Sequence, residues 1–193
     1  MDTSLIAKLR NMTGCGMMDC KNALEEAGGD LEVAAEELRK KGIAKAGKRG
    51  ARETAEGVVA TYVHSNKKLG VMLELLCETD FVARNEDFQV FANDLAMHVA
   101  AMNPLYLSRE DVPEEVLNKE KEVYKAEINM EGKSEDMIAK IIEGKLGKFY
   151  GEVCLLDQKY VKDEDKIIEE LVKEKINVMG ENLKIRRFAR FEI

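Results

Sequence analysis

Residues 57–77 read GVVATYVHSNKKLGVMLELLC. The spacing of apolar residues in this stretch differs from the spacing in the residues before it. The two apolar runs, GVVATYVH and LGVMLELLC, are rich in β-branched and aliphatic residues, which favour extended chain. The residues SNKK between them suit a hairpin loop. The stretch therefore predicts two antiparallel strands.

The C-terminal residues 183–193, LKIRRFARFEI, alternate and predict a third strand. One face is broken only by Arg187 and holds Leu183, Ile185, Ala189, Phe191 and Ile193. The other face is broken by Phe188 and holds Lys184, Arg186, Arg190 and Glu192. A three-stranded sheet buries one face easily and leaves the other exposed, so we expect an exposed face that carries Phe188 and takes a partner.

Residues 4–41 show the apolar spacing of three short helices. The residues TGCG separate the first two helices, and a pair of glycines ends the second. Asp30 is the predicted N-cap of the third helix, and Gly42 is its predicted stop. Narrow apolar stripes on all three predict a bundle of about 40 residues, near the smallest size that folds unaided.

A basic segment follows at residues 39–52, RKKGIAKAGKRGAR, with seven basic side chains and no acidic one. Its glycines argue against a long helix and predict a hinge. The charge leaves three interpretations open: a nucleic-acid contact, a contact with an acidic protein surface, and a solvated linker. No aromatic residue is interleaved with these charges, so a stacking platform for single strands is not supported.

Helical patterns fill the chain between the second and third strands. In the first of them Phe88, Phe91, Leu95 and Met102 share a face. Further helices are predicted over residues 108–130, with Ser108 as a cap, over 134–158 and over 165–176. The predicted fold class is α+β, with a three-helix domain at 1–52 and a core at 53–193 in which helices cover a three-stranded antiparallel sheet.

Composition excludes several classes of protein. The hydrophobic fraction is 45% and the charged fraction 35%, which is typical of a globular rather than a disordered chain. The start of the chain shows no signal peptide, and the most apolar run, VMLELLC, is too short to span a membrane. We therefore expect a soluble, cytoplasmic protein.

The patterns of common catalytic and metal sites are missing from the sequence. Four cysteines without a CxxC pair predict buried thiols rather than a zinc site. His64 and His98 have no nearby cysteine or nucleophile-elbow serine, and His98 lies on an apolar helix face where we expect a core or boundary residue. Neither a phosphate-binding loop nor a dinucleotide fingerprint occurs. We therefore expect that the protein is not an enzyme and that it has neither a cofactor nor a metal site.

The junction between the second strand and the next helix, residues 77–88, reads CETDFVARNEDF. It places Phe81 beside Asp80 at a point where the chain turns through solvent. One explanation of Phe81 is a hydrophobic staple that holds the following helix. The other is a contact with a partner protein.

Four stretches resemble, in order, the elongation factor Ts family: LRNMTGCGMMDCKNALEEAGGDLEVAAEELRKKG, CETDFVARNEDF, KFYGEVCLLDQKYVKD and GENLKIRRFARFEI. The resemblance implies a bacterial guanine-nucleotide exchange factor for elongation factor Tu, with an N-terminal bundle similar to ubiquitin-associated (UBA) domains. The chain carries one sheet's worth of strands, so it resembles the short, single-core form, whose members are homodimers. Cys15 stands where the family usually has alanine.

The resemblance also implies a role for the junction. In the family the segment that matches Thr79, Asp80, Phe81 and Val82 reaches the GTPase beside its Mg²⁺ and phosphate site. There the aromatic ring wedges between helices and displaces the groups that hold the metal. Arg84 and Asn85, which follow this segment, are predicted secondary contacts.

The N-terminal bundle is predicted to be a docking module for the same partner, and no direct nucleic-acid or membrane contact is expected. Its predicted contact surface is formed by Met17, Met18, Lys21 and Leu24. Two alternative functions remain. One is a UBA-like protein-binding module, and the other is a weak RNA-binding protein that uses residues 39–52. Salt-sensitive retention on RNA would favour the second.

Overall fold

A computed structural model describes residues 2–127 and 134–193, and it describes their side chains except at positions 43–45 and 48. The α-helices are α1 (Thr3–Thr13), α2 (Met17–Glu26), α3 (Leu31–Arg49), α4 (Asp80–Ala83), α5 (Glu86–Met102), α6 (Glu114–Glu127), α7 (Glu135–Val153) and α8 (Ile168–Met179). The strands are β1 (Glu56–Val63), β2 (Leu69–Cys77), β3 (Lys159–Tyr160), β4 (Asp163–Ile167) and β5 (Lys184–Glu192). Single turns of 3-10 helix span Arg109–Asp111 and Leu155–Asp157.

The predicted α+β class and its three-stranded antiparallel sheet are confirmed. The sheet has the order β1-β2-β5, so the first strand pair is the predicted hairpin and the C-terminal strand joins its second member. On the central strand β2, alternate side chains are buried, namely Val71, Leu73, Leu75 and Cys77. Because side chains on a strand point alternately to the two faces, these residues mark the covered face.

The opposite face carries exposed apolar side chains near the hairpin. Val63 is 65% exposed, Met72 51% and Phe191 68%. The N–H of Ile193 donates to the carbonyl oxygen of Lys68 at 3.0 Å, and the N–H of His64 donates to that of Leu69 at 2.9 Å. These bonds align β5 and β1 with β2 so that the three side chains share a face. The expectation of an uncovered sheet face is thus confirmed at this end of the sheet.

Phe188 does not lie on that exposed face, so its predicted position was wrong. It is partly buried and shares its side of β5 with Arg190, whose Nε donates to the carbonyl oxygen of Ala100 on α5 at 3.4 Å. Strict alternation assigned the wrong faces because the side of β5 that is buried is not the same at the two ends of the strand. Leu183 and Ile185 are buried near the start of the strand, whereas the even-numbered positions are the more buried ones farther along.

The N-terminal helices α1, α2 and α3 form the predicted bundle. Its core includes Ile6, Leu9, Leu24 and Leu38. Asp30 is the N-cap of α3 as predicted, because its Oδ1 accepts the N–H of Glu32 at 2.9 Å and that of Val33 at 3.1 Å.

Helix α3 continues past Gly42 to Arg49, so the predicted stop and the hinge over this part of the basic segment were wrong. Gly42 is buried, and a Cβ at this position would lie 2.9 Å from Nδ2 of Asn177 on α8. Arg49 Nη1 donates to the carbonyl oxygen of Ile176 on α8 at 3.0 Å. Glycine therefore permits close packing here, and this packing outweighs the weak helix propensity of the segment.

The predicted helix over 108–130 is interrupted near its start. Ser108 caps the first 3-10 turn through a reciprocal contact with Asp111, as expected of a cap, and α6 then begins at Glu114 after Pro113. Residues 128–130 of this predicted helix lie outside the described residues.

The predicted helix over 134–158 is shorter than expected, and the predicted helix over 165–176 begins and ends three residues later than expected. Helix α7 ends at Val153, and the backbone beyond it bonds to another loop: Leu155 N–H donates to Tyr106 O at 2.9 Å. Residues 159–167 form the small β3–β4 hairpin, so α8 begins only at Ile168. The hairpin was missed because β4, DEDKI, is charged and carries no apolar alternation.

The chain divides into two compact units, each drawn from separate parts of the sequence. The first comprises Met1–Ala60, Glu74–Ala92 and Glu170–Arg186, and the second comprises Thr61–Leu73, Asn93–Glu169 and Arg187–Ile193. The predicted domain boundary between residues 52 and 53 remains a prediction.

His98 lies in the interior of the second unit, as predicted. It is 0% exposed, its Nε2 lies 3.0 Å from Oε1 of Gln158, and its Nδ1 accepts the N–H of Val161 at 3.2 Å. Gln158 is also buried and donates through Nε2 to the carbonyl oxygen of Glu152 at 2.7 Å. Burial lowers the pKa of His98, so the imidazole is neutral and joins the chain around residues 152–161 to α5.

Candidate functional site

The junction after β2 is a short, well-defined turn. The chain leaves the strand at Cys77, forms the four-residue helix α4, and enters α5 at Glu86. Phe81 on α4 is 82% exposed, whereas Ala83 in the same helix is buried. An exposed aromatic ring at this turn is therefore confirmed. A hydrophobic staple requires the ring to pack on the helix that it holds, which does not fit this exposure.

Asp80 precedes the ring and carries an accessible carboxylate. Its Oδ2 lies 3.1 Å from Nη2 of Arg84, and the Asp80 and Arg84 side chains expose 45% and 79% of their surface. Exposed pairs of this kind contribute little to stability. A partner can therefore draw the Asp80 carboxylate away from Arg84 at small cost.

Thr79 caps α4, the helix that carries the ring, and Asn85 caps the following helix α5. Thr79 Oγ1 accepts the N–H of Val82 at 3.4 Å, and Asn85 Oδ1 accepts the N–H of Asp87 at 2.8 Å. Such caps supply acceptors that the first turn of a helix lacks. Thr79 and Asn85 thus hold the backbone of the turn, and Val82 is partly buried beneath it.

Glu181 holds the entry to the turn, a role that no pattern in the sequence predicted. Its Oε2 accepts the N–H of Glu78 at 3.1 Å and the N–H of Thr79 at 3.0 Å. Its Oε1 accepts the hydroxyl of Thr79 at 2.6 Å. Hydrogen bonds to a carboxylate are stronger than those between neutral groups, so one side chain fixes the backbone immediately before Asp80.

Glu78 and Asn182 make a second set of contacts beside the first. Oε1 of Glu78 accepts the N–H of Asn182 at 2.6 Å and lies 3.4 Å from Nη1 of Arg52. Asn182 is 4% exposed and donates through Nδ2 to the carbonyl oxygen of Arg52 at 2.9 Å. The pair Glu181–Asn182 therefore anchors both the turn and the segment that follows α3.

The position of this pair follows from the end of α8. Gly180 has φ 79°, and its N–H donates to the carbonyl oxygen of Ile176 at 3.0 Å, which is a helix end that favours glycine. The letters MGEN, residues 179–182, contain this signal. They mark a helix end followed by two polar residues, but not the backbone, about 100 residues away in sequence, that those residues bind.

The second predicted contact set lies on α2. Met17 is 52% and Met18 65% exposed, and Nζ of Lys21 lies 3.8 Å from Oε1 of Glu25. Leu24 is 0% exposed and belongs to the core of the bundle, so it offers no surface to a partner. Its role is to support the helix that displays the two methionines.

Several basic side chains of residues 39–52 bind within the protein. Lys40 Nζ lies 2.9 Å from Oε1 of Glu36, Lys41 pairs with Glu26, and Arg52 faces Glu78. Positive charge that is paired in this way contributes less to binding phosphate groups. These contacts weaken the nucleic-acid interpretation of the segment.

The described residues also bear on metal sites, membrane-spanning helices and reactive thiols. Within residues 2–127 and 134–193, no group of histidine, cysteine, aspartate and glutamate side chains is placed to hold a metal ion. In the same ranges, no helix has the length and apolar character needed to cross a membrane. All four cysteines are free and buried, and burial raises the pKa of the Cys77 and Cys154 thiols to about 11. These two groups therefore stay protonated at neutral pH.

Comparison with known proteins gives one consistent result. The sequence model of the family described as Elongation factor TS matches residues 24–193. A protein named Elongation factor Ts from Thermosipho melanesiensis is 56% identical over 193 residues, which is 100% of this chain and 98% of the relative. Proteins of the same name from Pseudothermotoga lettingae and Geobacter sulfurreducens are 54% and 53% identical; the matches cover 98% and 96% of this chain, and 96% and 86% of those relatives.

Proposed function

The chain belongs to the elongation factor Ts family and is a translation elongation factor, and from this premise we propose that it binds elongation factor Tu·GDP and promotes release of the nucleotide. The observation that carries the proposal is the 82% exposure of Phe81 on a turn that hydrogen bonds hold in place. Nucleotide release makes and breaks no covalent bond, so the protein acts as an exchange factor rather than as an enzyme. Its site of action is then the cytoplasm.

Phe81 is the proposed wedge. Burial of a phenylalanine side chain contributes roughly 1.5–3 kcal/mol, and a ring that is already exposed gives up few internal contacts when it enters a pocket. GTPases hold their nucleotide through a phosphate-binding loop and a Mg²⁺ ion that offsets the phosphate charge. A ring inserted beside that site displaces the groups that hold the metal and weakens the grip on GDP.

Asp80 adds an electrostatic contribution in the same place. Its carboxylate repels the phosphate groups or competes for the Mg²⁺ ion once it leaves Arg84. Binding is reciprocal. An exchange factor that prefers the nucleotide-free GTPase lowers the affinity of the GTPase for the nucleotide, and the nucleotide lowers the affinity of the GTPase for the exchange factor by the same factor.

The test measures release of labelled GDP from elongation factor Tu at increasing concentrations of the protein. The wild-type chain is expected to accelerate release, and Phe81→Ala is expected to lose most of that effect while melting normally. Val90→Ala is a matched control, because Val90 is an apolar residue, 51% exposed, on the neighbouring helix α5. Normal release by folded Phe81→Ala contradicts the wedge, and no acceleration by the wild type contradicts the exchange function.

The N-terminal bundle is proposed to dock on the same GTPase through Met17, Met18 and Lys21. Point substitutions test this better than truncation, because the bundle packs on α8: Asn177 Nδ2 donates to Cys15 Sγ at 3.4 Å. Met18→Ser is expected to weaken binding to elongation factor Tu in calorimetry without changing the melting temperature. Unchanged affinity contradicts a contact at this surface.

We also propose a homodimer that buries the exposed sheet face of Val63, Met72 and Phe191. A stable interface buries upward of about 1,200 Å² in total, and an open sheet face with apolar side chains suits a second copy of the chain. Light scattering at micromolar concentration is expected to give the mass of a dimer. Phe191→Asp should shift it toward monomer, whereas a wild-type monomer overturns the proposal.

A further inference from the structure

We infer that Glu181 is a positioning residue for exchange, whose carboxylate sets the geometry in which the turn presents Asp80 and Phe81 to the GTPase. The consequence for exchange rests on the proposed function. The positioning itself rests on the hydrogen bonds of Glu181, which are independent of any partner.

Glu181 acts where the strand ladder ends. Backbone N–H groups beyond the last strand pair need other acceptors. Oε2 of Glu181 accepts two consecutive N–H groups, those of Glu78 and Thr79, at 3.1 and 3.0 Å. Two bonds to one oxygen define the orientation of both peptide groups, and therefore the direction in which the chain leaves β2.

The second carboxylate oxygen extends this control into α4. A hydroxyl group has one proton and two lone pairs. The Thr79 hydroxyl donates its proton to Oε1 of Glu181 at 2.6 Å, which leaves its oxygen free to accept the N–H of Val82 at 3.4 Å. Val82 directly follows Phe81, so the carboxylate determines the orientation of the cap on which the exposed ring depends.

Glu181 is itself held on both sides. Gly180 ends α8, and Asn182 is buried and bonded to the carbonyl oxygen of Arg52 at 2.9 Å. The carboxylate therefore projects from a fixed backbone. A wedge that is held before docking loses less conformational freedom on binding, which favours both affinity and speed of exchange.

The decisive variant is Glu181→Gln, which keeps the size of the side chain but removes its charge and one of its two acceptor oxygens. An amide nitrogen opposite Thr79 is a donor where the hydroxyl needs an acceptor. Glu143→Gln is the matched control, because Glu143 is an exposed glutamate on α7. Thr79→Val removes the hydroxyl, and with it the bond to Oε1 of Glu181 and the cap of Val82, but leaves the two backbone N–H bonds to Glu181.

Two measurements are made on the full chain of each variant: the rate of GDP release from elongation factor Tu, and amide hydrogen exchange at Glu78 and Thr79 by NMR. For Glu181→Gln we expect release to slow about tenfold, equivalent to one charge-assisted hydrogen bond, and the two amides to exchange about tenfold faster. Thr79→Val should slow release without exposing the Glu78 amide. Combining Glu181→Gln with Phe81→Ala should slow release by less than the product of the two single effects, because part of what Glu181 positions is then already missing, and a merely destabilising substitution would not reproduce this.

Normal GDP release by Glu181→Gln, with an accelerating wild type, overturns the inference and leaves the proposed function intact. Equal slowing by Glu143→Gln also overturns it, because the effect would then be one of overall charge. If the wild type itself fails to accelerate release, the proposed function fails, and amide exchange alone tests the positioning. Unchanged exchange at Glu78 and Thr79 in Glu181→Gln then overturns it. Should Glu181→Gln not fold, Thr79→Val with normal GDP release overturns the inference.

Discussion

Glu181 and His98 both hold backbone at points where regular structure stops, and they do so with opposite chemistry. Glu181 is a partly exposed carboxylate that accepts the N–H groups of Glu78 and Thr79. His98 is a fully buried, neutral imidazole that contacts Gln158 and accepts the N–H of Val161. Glu181 supports a turn that carries an exposed aromatic ring, whereas the imidazole of His98 is itself wholly enclosed.

The difference between the two anchors follows from the cost of burying charge. A carboxylate is tolerated at the turn because water reaches it, whereas a charged group in the interior is strongly disfavoured. We therefore expect the His98 anchor to matter mainly for the free energy of unfolding. The Glu181 anchor should matter mainly for how the turn meets a partner.

The largest effect is expected from His98→Leu, which leaves Oε1 of the buried Gln158 and the N–H of Val161 without their partner. Each unsatisfied group costs about 1–3 kcal/mol, so the free energy of unfolding should fall by about 3 kcal/mol. Chemical denaturation measures this, with the exposed His64→Leu as control. GDP release per folded molecule should not change, and a stability loss below about 1 kcal/mol would break the comparison.

The next effect concerns Phe81 and Asp80. Phe81→Ala should lower the rate constant of accelerated GDP release by roughly thirtyfold at an unchanged free energy of unfolding. This is the size of a hot-spot truncation of about 2 kcal/mol. Asp80→Ala should act in the same direction, and the double variant should fall short of the product because both residues act on one metal site. GDP-release kinetics with circular dichroism as the folding control give these numbers. An early-melting Phe81→Ala with normal release per folded molecule would restore the staple explanation.

A smaller effect is expected from acidification. Burial lowers the pKa of His98 in the folded protein, so the unfolded chain takes up this proton first as the pH falls below about 6.5. The contribution of the neutral His98 to the free energy of unfolding is therefore fully present above this pH and declines below it. Tyr160, whose ring lies 6.0 Å from the imidazole, stays protonated in this range because burial raises its pKa to about 12. Denaturation at several pH values should show a weaker decline in His98→Leu, and identical slopes would contradict this account.

The smallest effect is expected from Arg84→Ala. The Asp80–Arg84 pair is solvent-exposed, so its loss should change the free energy of unfolding by no more than about 0.5 kcal/mol. If Arg84 only neutralises Asp80 in the free protein, GDP release should stay equal or become slightly faster. A marked slowing would instead identify Arg84 as a contact with the GTPase.

Local patterns were sufficient for the hairpin, the three-helix bundle, the cap at Asp30 and the exposed ring at position 81. Each depends on residues that are close in sequence, where periodicity and turn chemistry act directly. The family resemblance rested on the same short stretches. It indicated the elongation factor Ts family, and the match over residues 24–193 confirms that assignment.

Long-range packing determined the rest. Helix α3 runs through Gly42 because α8 packs against it, and Phe191 replaces Phe188 on the exposed face because burial changes sides along β5. Glu181 reaches Thr79 across about 100 residues of sequence, and no local pattern encodes that meeting. Such contacts form only when the whole chain has collapsed, since the partner of a hydrogen bond is chosen by proximity in space rather than along the chain.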